Sequence, residues 1–272
     1  MTQKEIEMKL LKMEAMIDDI YAYGHIPNKK CNICNNEFMF WDLYGTGNPI
    51  YSRYAKCPYC GSVERQRMLW FYFKQAKIIP NKKTDKLKLL HFAPEQCFLN
   101  TFAFNPSIDY YPVDYMQSQR YITSPSFKNV SAKPQKSYTV QGGVDIMNIP
   151  YEDKTFDLII CIHVVECVPD DKKAFSEMKR VLKPGGIAFI MSSVRETQEK
   201  TLENPEYNTE ELRLKYYKNK YYHRLYGKDF PDRVREVGFN VDVIYHLKES
   251  FSKEYQLYGF REQDQIYRLT LQ

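Results

Sequence analysis

No stretch of this 272-residue chain approaches the ~20 consecutive apolar residues that cross a bilayer. The N-terminus carries acidic residues and lacks an unbroken apolar core, which argues against a secretory leader. A cytoplasmic protein is the simple expectation. No internal repeat is visible, which excludes a repeat array. Nor is there a concentrated basic block: 39 Lys and Arg against 34 acids give a net charge of +5, spread along the chain. That balance permits an anionic partner without demanding one. What is present is a hydrophobic content of 43%, enough for a real core, and 23 tyrosines. Dispersed as they are, the tyrosines suit the edges of a core or the lining of a polar groove. The length allows one full α/β domain plus a small attachment.

The chain reads in three parts. In residues 1–24, Ile6, Leu10, Met13 and Ile17 share one helical stripe. This helix is expected to dock on the main domain or on a second subunit, making a homodimer. Its polar face mixes both charge signs, so a membrane-surface role fits less well. Residues 25–80 hold a turn-rich, four-cysteine module and then a helix over 62–79, with Leu69, Tyr72, Phe73 and Ala76 as its apolar stripe. A junction is expected at Pro80. Residues 81–272 form the α/β part. Strands are expected at 86–92 and 108–114, an insertion loop at 117–138, and a closing antiparallel pair at 241–246 and 265–269.

Cys31 and Cys34 form one CxxC pair, and Cys57 and Cys60, followed by Gly61, form another after 22 intervening residues. Four thiolates are what a closed, structural tetrahedral zinc site requires. A redox pair is the ordinary reading of a single CxxC, but two pairs in a short turn-rich segment point to metal. Disulfides are disfavoured because nothing indicates export. Cys97, Cys161 and Cys167 lie outside this module and read as small buried hydrophobes.

The most informative stretch is residues 144–191, VDIMNIPYEDKTFDLIICIHVVECVPDDKKAFSEMKRVLKPGGIAFIM. Residues 155–162 are mostly apolar, as in a parallel strand buried on both faces. His163 and Glu166 follow its C-terminal end, where open α/β sheets bind ligands. From Asp170 the period turns helical, with Ala174, Phe175, Met178, Val181 and Leu182 on one side. Lys183-Pro-Gly-Gly186 then stops the helix, and 187–191 starts another strand. In order and at these distances, this pattern resembles the second half of a class I S-adenosylmethionine-dependent methyltransferase. Together with HFAPE at 91–95, CPYCGSVERQR at 57–67 and HRLYGKDF at 223–230, it resembles a bacterial subgroup, methyltransferase type 11-like, with a zinc-ribbon-like N-terminus. The resemblance spans roughly residues 31–239. It implies a Rossmann-like, seven-stranded methyltransferase sheet with a small N-terminal helix and a zinc-ribbon module.

The resemblance also implies a site. Such enzymes usually carry a Gly-x-Gly loop after the first strand, but here the segment is His91, Phe92, Ala93, Pro94 and Glu95, with no glycine. Asp114, 21 residues beyond Ala93, is where an acid would accept hydrogen bonds from the cofactor ribose; on spacing alone a solvated strand-end acid fits as well. Asp145 and Ile146 match the segment beside adenine, and Cys161 to His163 would pass near the sulfonium. Asp157, at the opposite end of that strand, reads as structural.

Methyl transfer from a sulfonium is an in-line displacement, in which holding donor and nucleophile in line matters most. For a hydroxyl acceptor, His163 and His223 are the candidate general bases, set against ordinary hydrogen-bonded structural histidines. Arg224, with Tyr226 and Asp229, is a candidate acceptor clamp, set against a local Arg224–Asp229 ion pair that caps a helix ending at Gly238. Residues 210–222 are expected to be a helix leading into this lid. Three functions follow: a methyltransferase acting on a small molecule or sugar-containing metabolite, an RNA methyltransferase gripping nucleic acid with its zinc ribbon, or a degenerate methyltransferase fold that only binds.

Overall fold

The computed structural model describes residues 3–23, 29–45, 53–80, 84–116, 120–122, 138–244, 251–261 and 264–272. The chain divides into one unit of Met1–Tyr72 with Leu247–Arg261, and another of Phe73–His246 with Glu262–Gln272.

In the first unit, α1 (Gln3–Tyr23) forms where the apolar stripe predicts, and Ile6, Leu10, Met13 and Ile17 are exposed. Two antiparallel ribbons follow, β1 (Lys29–Lys30) with β2 (Glu37–Phe38) and β3 (Asp42–Tyr44) with β4 (Arg53–Lys56). α2 is Glu64–Gln75, shorter at both ends than the expected 62–79. Residues 251–261 pack in this unit through Arg67 and Phe71. The Arg67 Nε donates to the Tyr258 carbonyl at 2.6 Å, and Phe71 packs on Phe251 and Phe260. The division falls between Tyr72 and Phe73 rather than at Pro80. Phe73 is buried in the second unit, its ring 4.9 Å from that of Phe189.

The second unit comprises β5 (Leu87–Phe92), α3 (Gln96–Ala103), β6 (Ile108–Asp114), β7 (Arg120–Ile122), β8 (Tyr138–Gly142), β9 (Phe156–Ile162), α4 (Asp171–Val181), β10 (Leu182–Met191), α5 (Glu210–Tyr217), α6 (Phe230–Arg235), β11 (Phe239–Ile244) and β12 (Ile266–Leu271). Its sheet runs β11-β12-β10-β9-β5-β6-β8-β7. β8, β6, β5, β9 and β10 are parallel; β12 is antiparallel to β10. This is the expected Rossmann-like α/β sheet of seven strands, with one addition. β7 pairs antiparallel with β8 at the edge, inside the stretch expected to be a loop. The remainder of 117–137 lies outside the described residues, as do 245 and 246 of the expected closing strand.

β9 sits at the centre because FDLIICI offers apolar side chains to both faces. From β5 the chain goes to β6 on one side and returns as β9 on the other. This reversal falls between β5 and β9, and it is at the C-terminal ends of such strands that doubly wound sheets take ligands. α4 starts where Asp170 caps it, accepting from Lys173 N at 2.9 Å. β10 begins at Leu182, and the Lys-Pro-Gly-Gly segment is a register shift inside this strand rather than a separate turn. α5 stops at Tyr217, short of 222, because Lys218 turns left-handed at φ 62°. No helix among the described residues is long and apolar enough to cross a membrane.

Candidate active site and candidate metal centre

β5 and β9 are each followed directly by a left-handed, non-glycine residue: Ala93 at φ 46° and His163 at φ 54°. Each stays tied to its neighbour strand, Ala93 N to the Val113 carbonyl and His163 N to the Met191 carbonyl, both at 2.8 Å. Holding such a residue left-handed costs roughly 1–2 kcal/mol. The backbone thus turns left-handed at Ala93 without a glycine. Beside it, Asp114 ends β6, buried, with Oδ1 accepting from Met116 N at 3.0 Å. Asp145 follows β8, half-buried, and accepts from Met147 N at 2.8 Å. Ala93, Asp114, Asp145 and His163 therefore share the C-terminal edge. Pro94 is buried and Glu95 half-buried at the start of α3.

At His163 a hydrogen-bonded group forms that sequence reasoning noted only in part. Nδ1 lies 2.8 Å from Glu166 Oε1, and Ser192 Oγ donates to Glu166 Oε2 at 2.7 Å. Ser193 Oγ stands 3.4 Å from the same Nδ1 and 3.3 Å from the Tyr222 hydroxyl. Glu166 is 1% exposed. Burial alone would raise its carboxyl, but His163 and Ser192 outweigh burial and hold it below the usual glutamate range. Ser192 and Ser193 were legible in principle: they are the first residues after β10, on the ligand edge. His223 is brought to the same loop cluster, its N–H donating to the Glu166 carbonyl at 2.8 Å. Burial lowers its basicity, and the charges of Arg213 and Arg224 lower it further.

Several expected site residues serve the core instead. His91 is wholly buried, with Nδ1 2.9 Å from the Tyr110 hydroxyl and its ring among Phe98, Phe102 and Tyr110. Phe92, Ile146 and Cys161 join the opposite core cluster. Strand alternation explains the split, since neighbours on a strand buried on both faces point into different layers. Burial pushes the Cys161 thiol far up, so it is an inert packing group.

Arg224 is not a clamp. It is fully buried, and each guanidinium N–H has an acceptor. Nε meets Glu203 at 3.1 Å, Nη1 the Val165 and Val168 carbonyls at 3.0 and 2.7 Å, and Nη2 the Pro169 carbonyl and Glu203 at 2.8 and 2.7 Å. With five donors used, nothing remains for a ligand. Tyr226 is likewise buried and donates to Asp171 at 2.8 Å. Asp229 does not pair with Arg224 either. Its Oδ1 accepts from Thr201 N and Oγ1 at 2.8 and 2.7 Å. Gly227 is required there, because a Cβ would lie 2.6 Å from the Lys200 carbonyl carbon. Asp157 is structural as expected, holding Lys88 N at 2.9 Å and Lys183 Nζ at 2.8 Å.

In the first unit the sulfurs of Cys31, Cys34, Cys57 and Cys60 all lie within 4.8 Å of one another. Cys31–Cys60 is 3.6 Å and Cys34–Cys57 is 3.7 Å. A tetrahedron of Zn–S bonds near ~2.3 Å has sulfur–sulfur edges of about 3.8 Å, so the donor set fits zinc. The two knuckles are built alike. Asn35 N and Gly61 N bond back to the Cys31 and Cys57 carbonyls, and both residues are left-handed, at φ 60° and 72°. Arg67 lies buried beside this set, stacked 3.6 Å over the Trp41 ring, a cation next to accumulating negative charge.

With this geometry in place, comparison with known proteins adds the following. Residues 102–190 match the family described as Methyltransferase domain. Norajmaline N-methyltransferase of Rauvolfia serpentina is 46% identical over 48 residues, 18% of this chain and 16% of that protein. Demethylmenaquinone methyltransferase of Staphylococcus carnosus (strain TM300) is 32% identical over 95 residues, 35% of this chain and 37% of that protein. The chain thus spans well under half the length of these relatives. Among solved structures, Haemonchus contortus phosphoethanolamine N-methyltransferase 2 with S-adenosyl-L-methionine overlaps 74% of this chain and 52% of its own, at 13% identity and TM-score 0.40. The order of the sheet itself defines the fold.

Proposed function

We propose that this chain is an S-adenosylmethionine-dependent methyltransferase acting on a small molecule, with zinc as a structural ion in its N-terminal module. The observation that carries the reading is the buried Asp114 carboxylate at the end of β6, beside the left-handed turn at Ala93 and next to the sheet reversal. The match of residues 102–190 to a methyltransferase domain supports it. The relatives' names, an alkaloid N-methyltransferase and a demethylmenaquinone methyltransferase, favour a small acceptor.

In this reading Asp114 takes the ribose hydroxyls, Asp145 the adenine amine, and the turn at 93–95 the methionine end. The bound cofactor supplies an electrophilic methyl group on sulfur. This chain's own part is alignment, with His163 and His223 flanking the acceptor. Cys31, Cys34, Cys57 and Cys60 hold the zinc, which has no open position for chemistry. Titration calorimetry with S-adenosylmethionine and S-adenosylhomocysteine is the test. Saturable binding of both, weakened by Asp114→Ala, is the expected result; no binding of either sinks the reading.

A further inference from the structure

We propose that Glu166 is a positioning residue that fixes His163 with its proton on Nδ1 and its Nε2 bare, equipping the site for an acceptor with a phenolic or enolic hydroxyl. The acceptor half rests on the methyltransferase reading above; the tautomer half does not.

The geometry carries it. Glu166 is 1% exposed, and its two oxygens face His163 Nδ1 at 2.8 Å and the Ser192 hydroxyl at 2.7 Å. An ionised carboxylate only accepts hydrogen bonds, so Nδ1 must be the donor and carry the ring proton. Ser193 Oγ, 3.4 Å from Nδ1, shares that proton at longer range. Among the described residues no polar group reaches Nε2, and the side chain is 30% exposed. The bare nitrogen therefore faces outward at the C-terminal end of β9, on the ligand edge. The left-handed backbone of His163 aims the ring there, and the His163 N–H bond to the Met191 carbonyl holds it. A carboxylate fixing one imidazole nitrogen so that the other can take a proton is a general device of acid–base sites.

The chemistry of the acceptor follows. Its oxygen forms the bond to the methyl carbon as the carbon–sulfur bond breaks. The hydroxyl proton passes to His163 Nε2. The positive charge lost from sulfur thus ends on an imidazolium already paired with Glu166. A phenolic or enolic hydroxyl, titrating near ~10 as tyrosine does, is acidic enough to pass its proton to a neutral imidazole as the new bond forms. An aliphatic alcohol is a far weaker acid.

Long-range nitrogen NMR of histidine-labelled protein, at alkaline pH where imidazoles are neutral, reads the tautomer directly. The expected wild-type result is one His163 tautomer, protonated on Nδ1. In Glu166→Gln the side-chain amide can donate to Nδ1, so the Nε2-protonated form or a mixture is expected. A wild-type ring protonated on Nε2 overturns the proposal, as does an unchanged tautomer in folded Glu166→Gln. If that variant fails to fold, the wild-type tautomer decides alone. For the acceptor, methyl-labelled S-adenosylmethionine is offered with a panel of para-substituted phenols and primary amines as probes. Transfer to phenols, lowered at least tenfold in kcat by Glu166→Gln with cofactor affinity kept, supports the acceptor class. A wild-type protein that binds cofactor but methylates amines only, or nothing in the panel, overturns it. Failure to bind cofactor would sink the methyltransferase reading and leave the tautomer result standing.

Discussion

The buried Arg224 meets Glu203, at the surface, at 2.7 Å, and Arg233 joins them, reaching Glu203 at 2.9 Å and Asp171 at 2.8 Å. Asp171 also accepts from Tyr226, so the segment around 199–233 is tied to the start of α4 by a charged network with Arg224, Asp171 and Tyr226 buried at its centre. The polar segment that looks like a lid in sequence is thus held to the fold through these side chains.

Removing one partner of this network should act on stability first. Arg224→Ala leaves buried carbonyls and a carboxylate without donors, and a loss of roughly 3–5 kcal/mol is expected. Thermal melting checks this. Acceptor affinity in the surviving folded protein should be unchanged; a selective loss of acceptor binding at normal stability would restore the clamp.

Acid should weaken the second unit through the same groups. Burial would raise the Asp171 carboxyl, but Arg233, Arg224 and Tyr226 hold it below its ordinary value, and Glu166 is held down likewise. Between the folded and ordinary values the unfolded chain binds more protons, so stability rises with pH. The contribution is complete above the ordinary carboxylate range, about 4–4.5, and is lost as pH falls through the folded values. Denaturant unfolding of wild type and Asp171→Asn over this range should show a shallower acid slope in the variant.

Asp114→Ala should cost roughly 1.5–3 kcal/mol of cofactor binding, the loss of hydrogen bonds to a charged group. Calorimetry at fixed salt reads it. Unchanged affinity would remove Asp114 from the site.

Metal analysis should find about one zinc per chain. Cys57→Ser should lower metal content and the stability of the N-terminal module together, because binding and folding are coupled in so small a module. Four freely alkylatable thiols in the native protein would contradict the zinc site.

The glycine-free turn makes its own prediction. Ala93→Gly should leave stability within about 1 kcal/mol, since relief at φ 46° is offset by a looser unfolded chain. Ala93→Val, β-branched at a left-handed position, should lower both the melting temperature and cofactor affinity.

Much of the fold was open to sequence reasoning because local rules govern it. The apolar run before His163, the Asp170 cap and the two CxxC pairs each depend on neighbours within a few residues. They form β9, α4 and the paired knuckles. The strand-end positions of Asp114, Asp145 and His163 follow from the same rules, since the end of an apolar run in a parallel sheet marks the ligand edge.

What only the tertiary structure decided is the fate of side chains whose partners are distant in sequence. His91, Phe92 and Cys161 look alike from sequence as edge residues, yet packing sends His91 beneath α3 and the other two into the main core. Arg224 reads as an anion clamp until Glu203 and the carbonyls at 165, 168 and 169 close around it. Glu166 becomes a partner for His163 only where Ser192, 26 residues further on, arrives at its other oxygen. Hydrophobic period and turn chemistry are written locally, whereas burial and hydrogen-bond closure depend on which segments the sheet brings side by side.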